Sequence, residues 1–215
     1  MIKGKLLDRI RFEIKGMEII EFCEHITKEK VNQSLLEESM CIAIPDNFRK
    51  ALYILIRLLK PNIVVETGVY KGASTDAILR AMDKNNFGHL YSIELPVVGL
   101  LQDKQFISDI EIGMLVSESI RNRWTLLLGD SKIELPKLVE KIGNFDIFFH
   151  DSLHTYEHMK FEFELAKKYS KVIMSHDIAC NDAFPELVKG KDYSVLKREN
   201  LGVVSLQKIL PHQKR

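Results

Sequence analysis

Little in this chain places it at once. Its 215 residues include three cysteines, Cys23, Cys41 and Cys180, far apart and in no C-x-x-C pair. That excludes a disulfide framework and suits free, mostly buried thiols in a reducing compartment. Net charge is almost absent. Thirty-one basic against thirty acidic residues leave +1, so no electrostatic footprint for nucleic acid or an anionic membrane is present. No uncharged apolar run approaches a membrane span, and Asp8, Arg9 and Arg11 interrupt any signal-peptide core. Repeats and low-complexity tracts are also lacking, which removes solenoids and linkers. Two phosphate-binding patterns are missing, the G-x-G-x-x-G of dinucleotide sites and the G-x-x-x-x-G-K-[ST] loop. What remains is a soluble, cytoplasmic chain whose 46% apolar content suffices for the core of one domain.

The informative stretch runs from Pro61 to Glu94. The apolar run Ile63-Val64-Val65 breaks into Glu66-Thr67-Gly68-Val69-Tyr70-Lys71-Gly72-Ala73-Ser74, and a second run ends at Ser92-Ile93-Glu94. Two buried strands that each end in a carboxylate, with two glycines in the first connection, describe half of a nucleoside pocket. Glycine lets the backbone turn tightly and lets a ligand approach without a Cβ in the way. An acid about 20 residues beyond such glycines is placed to accept from ribose hydroxyls. The turn begins with an acid, Glu66, which would repel a pyrophosphate but favours a ligand carrying an ammonium and a ribose without phosphate. S-adenosylmethionine has that charge pattern.

Strand and helix patterns alternate through most of the chain. Helical periodicity covers Leu6 to about Glu29, with Ile10, Ile14 and Met17 on one stripe. Pro45-Asp46 offers a second helix start, with Phe48, Leu52, Leu55, Ile56 and Leu59 as its apolar face and Pro61 as its end. Ser74, Thr75 and Asp76 open a helix after the glycine turn. Later strands are predicted at His89–Ile93, Trp124–Leu128, Phe145–Phe149 and Val172–Ser175, with helices at Ile133–Lys141 and Tyr156–Tyr169. The runs Tyr193–Lys197 and Gly202–Leu206 read as an antiparallel hairpin. The long connection from Leu95 to Arg123 is placed to border a substrate. Together these predict an α/β, Rossmann-like, doubly wound and mostly parallel seven-stranded sheet with helices on both faces. Residues 1–45 are expected to form an N-terminal helical extension, a lid or dimer arm, and residues 46–215 the ligand-binding domain. Trp124, Phe148 and Phe149 read as core.

In such a sheet ligands sit at the carboxyl ends of the strands. There the sequence places Glu66, Glu94, Gly129-Asp130-Ser131, His150-Asp151 and His176-Asp177. Short polar residues favour strand ends in any protein, but five carboxylates in register are harder to dismiss. From about Pro61 to Asp182 the pattern resembles the class I S-adenosylmethionine-dependent methyltransferases. His150-Asp151-Ser152-Leu153-His154-Thr155-Tyr156-Glu157 followed by Ser175-His176-Asp177 resembles the small-molecule O-methyltransferase branch, to which the catechol and macrolide-sugar enzymes belong. The resemblance implies transfer of a methyl group to an oxygen of a small polar metabolite, a sugar or phenolic hydroxyl. It implies that Glu66, Thr67, Gly68, Gly72 and Ser74 line the methionine part, with Glu66 near the ammonium. Glu94 would hold the ribose, Asp130 and Ser131 the adenine, and Asp151 would face both cofactor and acceptor.

The same resemblance implies magnesium or another divalent cation held by oxygen ligands. Asp151 and Asp177 stand at the family positions, with Asn181, Asp182 or His176 to supply the third donor. Such an ion would lower the pKa of a substrate hydroxyl. Without one, His150 or His154 is the candidate general base, so Asp151, His154 and Asp177 are the candidate catalytic residues. Three rivals exist. A sensor or subunit could bind S-adenosylmethionine without turnover, though it would need no acids beyond the methyl group. His154-Thr155-Tyr156-Glu157-His158 also spells the H-x-x-E-H of one class of zinc peptidases. A nicotinamide dinucleotide is disfavoured by Glu66 and the missing third glycine. Expected partners are a small-molecule acceptor, neither nucleic acid nor membrane, and a second copy through the N-terminal helices.

Overall fold

A computed structural model of the protein describes residues 17–41, 46–96 and 112–206. Helix α1 covers residues 17–27, followed by α2 (Gln33–Cys41) and α3 (Asn47–Leu59). The alternating part then runs β1 (Ile63–Thr67), α4 (Ala73–Asn85), β2 (His89–Glu94), a 3-10 turn (Glu118–Arg123) and β3 (Trp124–Leu128). It continues with α5 (Ser131–Ile142), β4 (Ile147–His150), α6 (Tyr156–Tyr169), β5 (Val172–Ser175) and α7 (Ala183–Val188). A closing pair, β6 (Asp192–Leu196) and β7 (Leu201–Ser205), is joined by a three-residue 3-10 turn at Lys197–Glu199. The strands form one seven-stranded sheet in the order β3-β2-β1-β4-β5-β7-β6. Strands β1 to β5 are parallel, and β7 pairs antiparallel with β5 and with β6. This is the predicted Rossmann-like architecture with its C-terminal hairpin.

Side chains alternate between faces along a strand, and that parity divides the core. Val64, Ile147, Phe149, Met174 and Val203 pack with α1 to α4 on one face. Val65, Phe148, Ile173 and Val204 pack with α5 to α7 on the other. Both faces are covered, so the strands are apolar nearly throughout, as parallel strands must be. Phe148 and Phe149 are fully buried core residues. Trp124 is partly buried and donates its indole N–H to Ser92 Oγ at 2.9 Å.

Helix α3 is buried on nearly every side from Ala51 to Ile56, because α1 and α2 cover what α4 and the sheet leave open. Its start follows capping chemistry. Asp46 accepts from Arg49 N at 2.8 Å, and Lys60 closes the helix in a left-handed conformation before Pro61. Helix α1 departs from the predicted stripe. Its inward face is Ile19, Phe22, Cys23 and Ile26, spaced at helical period, while Met17 is 60% exposed. Ile10, Ile14 and Pro45 lie outside the described residues, as does 97–111 of the long connection. Among the described residues, no helix is long and apolar enough to cross a membrane.

Candidate active site

The site is built where the strand order reverses, between β1 and β4. Gly68 leaves β1 at φ +85, and a Cβ there would lie 2.1 Å from the Asp151 carbonyl oxygen. Only glycine lets the two strand ends come this close. The turn is held from below, since Glu94 Oε2 accepts from Val69 N at 2.5 Å and Tyr70 N at 2.7 Å. Gly72, at φ +86, caps α4 and lies against Gly113. A cavity of about 420 Å³ opens above, with Gly68, Glu94, Asp130, Ser131 and Asp151 in its wall. Asp130 caps α5 through Lys132 N at 2.8 Å. Leu95 and Leu153, both more than half exposed, line this cavity together with Tyr70 and His158; Leu95 opens the connection expected to border a substrate, whereas no pattern pointed to Leu153. Exposed leucines beside a cavity offer apolar faces suited to a flat ring.

Glu66 lies below this rim, because β1 continues through Thr67 and strand parity turns Glu66 toward α4. It is fully buried and accepts from Ser74 Oγ (2.8 Å), Thr75 Oγ1 (2.8 Å) and Ser92 Oγ (2.6 Å). Burial raises its pKa to about 7, the three hydroxyls offset part of that rise, and the charge of Asp151 adds to it. Thr67 and Ser74 are likewise turned inward, with their hydroxyls on Glu162 and Glu66.

Beside the cavity stands an acid cluster. Ligand atoms of Asp151, His176 and Asp177 lie within 4.8 Å of one another. His176 Nδ1 is 3.1 Å from Asp151 Oδ1 and 3.6 Å from Asp177 Oδ2. His154 Nε2 is 3.8 and 3.7 Å from the same two carboxylates. Asp177 is held at φ +51, with Asn200 Nδ2 on its Oδ1 at 3.0 Å. Burial pulls the His176 pKa down, but the hydrogen bond to Asp151 and the two acid charges outweigh it and leave it raised. Burial and the neighbouring His150 lower that of His154 against the same acids.

Of the three residues named for a third donor, His176 is the one that stands in the cluster beside the two acids. Asn181 has both ends of its amide in use, Oδ1 on Ala183 N at 2.9 Å and Nδ2 on the His154 carbonyl at 3.1 Å. Asp182 stands at the start of α7, with no side-chain capping bond, and is absent from the cluster. Two carboxylates and an imidazole fit a divalent cation, and the buried His154 Nε2 beside them has no hydrogen-bond partner.

Under the β1, β3 and β4 ends lies a network that sequence reasoning missed. Glu162 of α6 is fully buried, and its carboxylate meets His150 Nδ1 (2.7 Å), His158 Nε2 (2.9 Å), Ser131 Oγ (2.5 Å), Thr67 Oγ1 (2.7 Å) and Ser152 Oγ (3.2 Å). Burial works against its charge, but the bonds from His150, His158 and Ser131 win and hold its pKa far below the carboxylate range. The signal available was position: Glu162 lies four residues after His158, on a face otherwise formed by Met159, Phe163 and Ala166. The network also disposes of H-x-x-E-H as a zinc site. His154 precedes α6, Glu157 is exposed, and His158 Nε2 is committed to Glu162.

A family model described as a methyltransferase domain matches residues 65–178, more than half of the chain and all five acid-bearing strand ends. The chain belongs to that methyltransferase family. Its fold is that of the class I S-adenosylmethionine-dependent enzymes. An O-methyltransferase from Bacillus cereus, solved with S-adenosylhomocysteine, is 17% identical, with a TM-score of 0.54 over 81% of this chain and 92% of its own. The O-methyltransferase TomG of Streptomyces achromogenes, which acts in tomaymycin synthesis, is 17% identical, with a TM-score of 0.56 over 81% and 90%. A TDP-rhamnose 3′-O-methyltransferase of calicheamicin biosynthesis is 14% identical, with a TM-score of 0.54 over 88% and 93%. At these identities the likeness is one of fold. Among curated proteins no sequence match is found.

Proposed function

We propose that this S-adenosylmethionine-dependent methyltransferase methylates a hydroxyl oxygen of a small polar metabolite, a sugar or a phenol. The observation that carries the reading is the joining of cavity and acid cluster through Asp151, which belongs to both. S-adenosylmethionine supplies a methyl group already activated on a sulfonium, so the protein's task is alignment, which supplies most of the acceleration. Glu94 has its Oε1 left for the ribose hydroxyls, since Oε2 is taken by the turn. Asp130 and Ser131 border the adenine side, and Leu95 and Leu153 enclose its ring. Glu66, buried under the hydroxyls of Ser74, Thr75 and Ser92, acts on the methionine end only by fixing the start of α4, where the glycine turn ends.

On the acceptor side, Asp151, Asp177 and His176 would hold a divalent cation, which when bound lowers the pKa of a hydroxyl. His154 stands within reach of the same acids and, with its pKa lowered, is neutral and able to take a proton at neutral pH. The named O-methyltransferases of similar fold support oxygen as the acceptor atom. The test is S-adenosylhomocysteine release with panels of phenols and sugars, with and without a chelator. We expect turnover on hydroxyl compounds that chelation abolishes. Methylation confined to amines would overturn the acceptor assignment, and turnover indifferent to chelation would remove the ion.

A further inference from the structure

We infer that Glu162 is a positioning residue that ties the cofactor cavity to the acid cluster by clamping both neighbours of Asp151. The proposal rests on that cluster being the reaction centre proposed above. His150 and Ser152, on either side of Asp151 in the chain, both hydrogen-bond to the Glu162 carboxylate. The fully buried His150 ring makes its side-chain hydrogen bond to Glu162 alone, since its Nε2 has no hydrogen-bond partner. Its ring lies edge-on to His154 at 5.2 Å. Ser152 and His158 border the cavity and also bond to each other at 3.3 Å. Ser131, in the cavity wall, and Thr67, at the end of β1, complete the set. One carboxylate thus joins three strand ends to α6.

A fully buried charge is costly and is often replaceable by packed apolar groups without loss of stability. At position 162 an apolar side chain would fill the space but leave two imidazoles and three hydroxyls without an acceptor. Asp151 would then be free to shift away from His176, and the cavity wall with it.

The test uses the full chain and the variant Glu162→Gln, which keeps the shape and removes the charge. Affinity for S-adenosylhomocysteine is measured by calorimetry, and the His176 Nδ1–H resonance is recorded at one fixed pH without ligand. We expect affinity to fall about tenfold or more and the His176 resonance to move, while that of His89, bonded to Thr125 on remote strands, stays in place. Affinity within twofold of wild type and an unmoved His176 resonance would overturn the proposal, as would equal shifts at His89 and His176, which would report general loosening. Should Glu162→Gln fail to fold, Ser152→Ala removes one arm of the clamp alone. There a His176 shift supports the proposal and its absence overturns it. The resonance needs no acceptor or metal, so it can fail while the methyl-transfer reading stands.

Discussion

At the scale of single residues, the two buried glutamates show how one side chain type can be driven in opposite directions. Glu162 faces two imidazoles and stays ionised, whereas Glu66 faces three neutral hydroxyls and has its pKa raised from 4.5 to about 7. Glu66 therefore binds its proton more tightly folded than unfolded. The stability this confers is complete below about pH 4.5 and is lost as pH rises through about 7. The size of that loss is on the order of 3 kcal/mol. Urea unfolding of wild type and Glu66→Gln across that range should show the wild type losing stability relative to the variant as pH rises. Parallel curves would mean that Glu66 is already ionised under its hydroxyl cap. Glu66 was legible as an acid of the glycine turn, but not as a buried one. Its burial follows from β1 running through Thr67, one residue past the acid on which the strand was expected to end.

At the scale of elements, alternation and apolar runs made most strands and helices readable, and the misreadings trace to turns. The hairpin was predicted one residue late on both arms. A 3-10 turn withdraws Lys197 from β6, and Asn200, at φ +50, starts β7 at Leu201. Phe145 belongs to the approach to β4, where its N–H bonds to the Tyr169 carbonyl at 2.9 Å. Helix α7 was not predicted at all, since six residues are too few to show periodicity. Its seat is specific nonetheless. A Cβ at Gly202 of β7 would lie 2.2 Å from the Phe184 ring of α7, so Gly202→Ala should cost about 1–3 kcal/mol by overpacking. Adding Phe184→Leu should recover much of that loss. A double-mutant cycle with coupling near zero would show that α7 is held elsewhere.

At the scale of the whole molecule, the parallel sheet sends every strand from β1 to β5 toward the same rim, and the strand order divides the work there. Strands β1, β2 and β3 end at Gly68, Glu94 and Asp130 on the cavity side, while β4 and β5 end at Asp151, His176 and Asp177 on the acid side. The acids were legible because each sits within two residues of a strand end. His176 was weighed only as an alternative donor, and Leu153 was missed, because the nearness of residues from different strands is a property of the fold. Division of the rim predicts separable defects. Glu94→Ala removes both the oxygen proposed for the ribose and the anchor of the Val69-Tyr70 turn. At about 1.5–3 kcal/mol for a hydrogen bond to a charged group, affinity for S-adenosylhomocysteine should fall at least about a hundredfold. Asp177→Ala lies across the rim and makes no hydrogen bond to a cavity residue, so affinity should stay within about threefold while turnover is lost. Calorimetry paired with S-adenosylhomocysteine release checks both. If the two variants lose binding equally, the rim is one cooperative unit, and Asp177 supports the cofactor cavity as much as the acceptor.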